Sequence, residues 1–120
     1  MAQVLIVDDQ SDIRRLLKIS LGKACEILES EDGMSALEMI RHHRPKVVLL
    51  DIMMPGELNG LQVLQAAKAD PHTRDVVIGI MSARGESTDF EAADALGADA
   101  YFVKPFSPIQ VVSWVREQIE

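Results

Sequence analysis

The 120 residues suit one domain, and a chain of this length buries roughly two-thirds of its unfolded surface, enough for a core without staples. Twelve basic against nineteen acidic side chains leave a net charge of −7, which argues against wrapping nucleic acid, since duplex affinity rests on cations meeting phosphates. A hydrophobic content of 48% argues against disorder, and the one cysteine, Cys25, forms no intrachain disulfide, which fits a reducing compartment.

The predicted elements alternate along the chain. Residues 4–7 (VLIV) are a continuous apolar run of the kind parallel strands show when both faces are covered. That run meets two aspartates too soon for a signal peptide, and no apolar run reaches the length of a membrane span, so a cytoplasmic protein is expected. Ile13, Leu16, Leu17 and Leu21 then fall at helical spacing, with Ser11 as a candidate cap. Residues 25–30 read as a more polar edge strand, followed by a second helix carrying Met34, Leu37 and Ile40, capped by Asp32 and ended before Pro45. Residues 47–50 form the third strand, and Leu61, Leu64 and Ala67 the third helical stripe. Residues 76–81 predict the fourth strand, and Phe90, Ala93 and Leu96 the fourth helix, with Gly97 at its end. Ala100–Val103 is the short fifth strand. Ile109, Val112, Val115 and Ile119 mark the last helix, started by Ser107 and Pro108. There is no repeat and no linker. Strands alternating with helices predict an α/β doubly wound parallel sheet, flavodoxin-like, in the order 2-1-3-4-5, with a crevice at the carboxyl ends of strands 1 and 3.

Polar residues gather at those carboxyl ends. Strand 1 is followed by Asp8 and Asp9, strand 3 by Asp51, strand 4 by Ser82, and strand 5 by Lys104 and Pro105. Neighbouring strands 1 and 3 would bring three carboxylates into one crevice, where their repulsion calls for a cation or a proton. Hard oxygen ligands favour magnesium, and no Cys/His cluster offers zinc an alternative. An aspartate beside a cation and a lysine is a reasonable nucleophile toward phosphorus, with Ser82 and the backbone N–H of Ala83 as donors to a phosphoryl oxygen.

Asp8-Asp9, the run from Asp51 to Gly56 (DIMMPG), Ser82-Ala83 and Lys104-Pro105-Phe106, in this order, resemble the signature of response regulator receiver domains of two-component signalling, over essentially the whole chain, 1–120. The resemblance implies a bacterial phosphoprotein with Asp51 as acceptor, taking its phosphoryl group from a histidine kinase or histidine phosphotransfer protein. It implies Mg2+, or Mn2+ in its place, with Asp9 as a direct ligand, Asp8 largely through water, Asp51, and the carbonyl of Met53. Lys104 would bind the phosphoryl group, with a cis bond to Pro105. Ser82 and Tyr101 would form a switch altering the face of the fourth helix, fifth strand and fifth helix, which would meet an effector or a second copy. Such a domain is no enzyme beyond weak self-phosphorylation and self-dephosphorylation, which Met53 and Arg84 would tune. No effector region follows the fifth helix, so a stand-alone receiver or an excised domain is expected, with no nucleic acid or membrane bound directly. The sequence departs from the common pattern by placing the glycine after the acceptor at Gly60 rather than at Asn59, one residue later, and by carrying serine where threonine is also common.

Other readings are plainer. Asp8 and Asp9 would also suit the start of a helix, and Tyr101 would also simply pack. His42, His43 and His72 read as solvent-facing, Cys25 as a small core residue, and Trp114 as either sheet-packing or partner-facing. Among other functions, an aspartyl-phosphate hydrolase would place a second aspartate where Met53 stands. A flavin-binding module would want a phosphate loop where Asp8 and Asp9 would repel one. A receiver-like domain that no longer accepts phosphate would lack one of the four site elements, all present here.

Overall fold

Each apolar run becomes a strand and each amphipathic segment a helix in the computed structural model, which describes residues 1–83 and 87–120. Among the described residues the chain runs β1 (Gln3–Val7), α1 (Ser11–Leu21), β2 (Glu26–Ser30), α2 (Gly33–His43), β3 (Val47–Asp51), α3 (Gly60–Ala69), β4 (Val77–Ser82), α4 (Ser87–Ala95), β5 (Ala100–Val103) and α5 (Pro108–Ile119). The strands pair in parallel in the order β2-β1-β3-β4-β5, as the alternation predicts. No described helix is long and apolar enough to cross a membrane.

The continuous apolar strands are explained by burial on both faces. Leu5, Val7, Val48, Leu50, Ile78 and Ile80 point into one core layer with Ala36, Ile40, Val63, Leu64 and Ala67. Their neighbours Val4, Ile6, Val47, Leu49 and Met81 point the other way, onto Leu17, Leu21, Val111 and Val115. Alternate residues of one strand therefore serve opposite layers, so polarity is excluded until the strand ends. The edge strands β2 and β5 are only partly covered, which matches their more polar composition.

Helix faces are rotated from several sequence expectations. Leu16, Met34, Phe90 and Ile109 are exposed, while Ala36, Val63 and Val111 are fully buried. Small residues sit where helix and sheet approach closely, and hydropathy favours the larger neighbours. The α1 start also differs: Gln10 holds the cap position without a side-chain bond, and Ser11 is already helical. Asp32 and Ser107 cap α2 and α5 through the amides of Ser35 and Gln110, as expected. Trp114 packs on the sheet: its ring lies 5.6 Å from that of Phe102, and a β-carbon added at Gly79 would stand 2.8 Å from it. Cys25 is buried, and burial raises its thiol pKa; the three histidines are exposed.

At the amino ends of the strands, the ammonium of Lys68 donates to the carbonyls of Val76 (2.8 Å) and Arg74 (3.2 Å) and pairs with Asp99 at 3.1 Å. The same Asp99 oxygen accepts the amide of Ile78 at 2.8 Å. One side chain thus ties α3, the turn before β4 and the start of β5.

Candidate functional site

The strand register assembles the site. Val7 pairs with Leu50, so the next residues, Asp8 and Asp51, emerge side by side at the carboxyl edge. Asp51 pairs with Met81, so Ser82 follows on the other flank, and Ser82 pairs with Val103, which brings Lys104 to the same rim. The Lys104 amide donates to the Ser82 carbonyl at 2.7 Å, and the Lys104–Pro105 bond is cis, as expected.

One carboxylate oxygen each from Asp8, Asp9 and Asp51 lie within 4.8 Å of one another. Asp8 is fully buried, Asp51 is 4% exposed, and Asp9 is exposed to solvent. The Asp8 carboxylate is held from two sides: its Oδ1 accepts the Gln10 amide at 2.9 Å, and its Oδ2 lies 2.6 Å from the Lys104 ammonium. Lys104 also reaches Asp51 Oδ2 at 3.4 Å, and Asp51 Oδ1 accepts the Met53 amide at 3.2 Å. Burial, reinforced by the negative charge of Asp8, pushes the Asp51 carboxyl up to about 6, although Lys104 and the Met53 amide favour its charged form. Three carboxylates facing one ammonium are undercompensated. This set of hard oxygens, one of them open to solvent, fits a divalent cation with water in its remaining positions.

Ser82 is fully buried and Ala83 exposed beside it. The backbone of Met53 lies against Asp51 while its thioether chain is half-exposed. Tyr101 on β5, separated from the acidic cluster by β4, is partly buried; its ring meets that of Phe90 on α4 edge to face, 5.6 Å between centroids. Arg84 lies outside the described residues.

Two further residues shape the site: Gly60, which the sequence marks as the glycine displaced by one position, and Arg14, which it does not single out. Gly60 opens α3 directly against the end of β3: a β-carbon there would stand 2.7 Å from Ile52 Cα and 2.8 Å from the Asp51 carbonyl carbon. Its amide donates to the Ile52 carbonyl at 2.9 Å, so the loop returns to the backbone beside Asp51. Earlier in this loop, exposed Gly56 adopts φ 98°, a left-handed conformation that favours glycine. Arg14 is the second; its Nη1 donates to the Asp8 carbonyl at 2.7 Å. The glycine's position after the acceptor was a usable signal, whereas nothing in sequence spacing ties Arg14 to Asp8.

Comparison with known proteins places this geometry. The family model described as "Response regulator receiver domain" matches residues 4–116. The transcriptional regulatory protein SrrA of Staphylococcus aureus is 42% identical over 115 residues, covering 95% of this chain and 46% of its own length. The chain thus spans about half the length of the curated relatives it matches. A putative response regulator from Chloroflexus aurantiacus superposes with a TM-score of 0.90 at 28% identity, covering 98% of this chain and 97% of that one. The chemotaxis response regulator CheY4 of Vibrio cholerae does so at 0.88 and 27%, covering 98% of each.

Proposed function

Since this chain belongs to the family of response regulator receiver domains and so to two-component signalling, we propose that it is switched by transfer of a phosphoryl group from a histidine kinase or histidine phosphotransfer protein to Asp51. The reading is carried by one observation: Asp8, Asp9 and Asp51 share a crevice with a single ammonium, from Lys104.

In the proposed reaction a carboxylate oxygen of Asp51 forms a bond to phosphorus as the phosphorus–nitrogen bond of the donor imidazole breaks. The electron pair leaves with that nitrogen. Phosphoryl transfer asks mainly for positioning and charge neutralisation. The Met53 amide orients Asp51 through Oδ1, leaving Oδ2 toward Lys104. Lys104 sits between Asp8 and Asp51 and follows the charge onto the phosphoryl oxygens; Ser82 and the Ala83 N–H donate to the same oxygens. Asp9, Asp51 and the Met53 carbonyl would hold magnesium, or manganese in its place, with Asp8 acting through water. The ion supplies further neutralisation when bound. Beyond weak self-phosphorylation and self-dephosphorylation, no turnover is proposed, and the domain works in the cytoplasm.

The switch follows from the same contacts. Movement of Ser82 toward the phosphoryl group opens space for Tyr101 and alters the face formed by α4, β5 and α5, which meets an effector or a second copy. A near-complete switch needs about 5 kcal/mol of differential stabilisation, within reach of a few charge-assisted hydrogen bonds.

Incubation with a small acyl-phosphate donor, with and without magnesium, followed by intact mass and peptide mapping, tests the proposal. One phosphoryl adduct is expected, dependent on metal, mapping to Asp51 and lost in Asp51→Asn. An adduct that persists in Asp51→Asn would refute it.

A further inference from the structure

The β1–α1 turn is closed by bonds that leave Asp9 facing outward. The Asp8 amide donates to the Ser30 carbonyl at 3.1 Å, and Gln10 donates to the Asp8 side chain. The carbonyl of Asp8, which belongs to the peptide linking it to Asp9, accepts the guanidinium of Arg14 at 2.7 Å. Arg14 is itself anchored, its Nε pairing with Glu29 Oε1 on β2 at 3.3 Å. Lys18 approaches the other Glu29 oxygen at 3.5 Å. The Arg14 side chain is 16% exposed and that of Glu29 37%, so the guanidinium is largely covered while the bridge opens to solvent on the Glu29 side.

We infer that Arg14 is a positioning residue for the cation site: by gripping the Asp8 carbonyl and bracing on Glu29, it fixes the Asp8–Asp9 peptide and hence the aim of the Asp9 carboxylate. The inference rests on the proposed function, because it concerns the same metal-assisted site. Arginine suits the task because its planar fork holds donors in fixed directions, Nε toward Glu29 and Nη1 toward the Asp8 carbonyl.

The sign of the effect separates positioning from simple charge. A cation beside a metal site repels the metal, so a purely electrostatic Arg14 would weaken binding, and its removal would tighten it. Glu29 offsets that charge, which leaves orientation as the larger effect. Removal should therefore weaken binding, as loss of outer partners of metal ligands usually does.

Calorimetric titration of magnesium alone into the wild type, Arg14→Gln and Arg14→Lys decides the matter. Arg14→Gln is expected to bind about tenfold more weakly and Arg14→Lys about threefold, with wild-type circular dichroism. Phosphoryl uptake from the small donor should fall at low magnesium and recover at saturating magnesium. Should Arg14→Gln fail to fold, Arg14→Lys, which keeps the charge, carries the test through the same two measurements. Equal or tighter magnesium binding in the variants would overturn the inference, as would uptake that stays low at saturating magnesium. A wild type that binds magnesium and is phosphorylated on Asp51, with unaltered variants, refutes only the role of Arg14. A wild type that does neither takes the proposed function with it.

Discussion

The proposed acceptor, Asp51, is an aspartate held where its charge is hard to keep. Burial comes first and the adjacent Asp8 second in raising its pKa to about 6, against an ordinary value of 3.8. In the unfolded chain the group ionises near its ordinary value, so between roughly pH 4 and pH 6 the folded state holds the extra proton. Stability of the metal-free protein is therefore expected to fall as pH rises through that window and then level off. Asp51→Asn should remove the dependence and stabilise the metal-free protein at pH 7 by about 2–3 kcal/mol, measured by urea unfolding in chelator across a pH series. At this scale the sequence was legible where chemistry sits on a strand end. Asp8, Asp9, Asp51, Ser82 and Lys104 all lie on the rim that the alternation of elements predicts. It was silent on Arg14, whose reach to Asp8 depends on how α1 docks beside β2.

Among the elements, α3 has the strictest relation to the site. Asn59 and Gln62 form a reciprocal cap (2.8 and 3.0 Å), which starts the helix where Gly60 touches the acceptor strand. Gly60→Ala gains helix propensity, about 1 kcal/mol, yet drives a methyl group into the backbone of Asp51 and Ile52. Backbone cannot rotate aside as a side chain does. A net loss of at least about 2 kcal/mol in denaturant unfolding is expected, with slower phosphoryl uptake by intact mass. Strand positions were readable because burial on both faces leaves an uninterrupted apolar run; Ala100–Val103 agrees at both ends. Helix faces were less so. Ile109 and Met34 look like core in the sequence but face solvent, while Val111 and Ala36 on the same helices are the fully buried positions.

The whole molecule has two unlike ends. At the amino ends of the strands Lys68 satisfies three acceptors, and Lys68→Met should cost about 2 kcal/mol, with faster hydrogen exchange at the Ile78 amide as the local reporter. At the carboxyl ends three carboxylates gather around the Lys104 ammonium, an excess of acidic side chains among the described residues. That imbalance bears on the order of events in the proposed reaction. A phosphate-bearing donor is itself an anion and is turned away from such a rim, whereas a dication is drawn in. In the proposed reaction the metal would therefore arrive before the donor, and loading of the rim would become the gate through which an incoming signal passes.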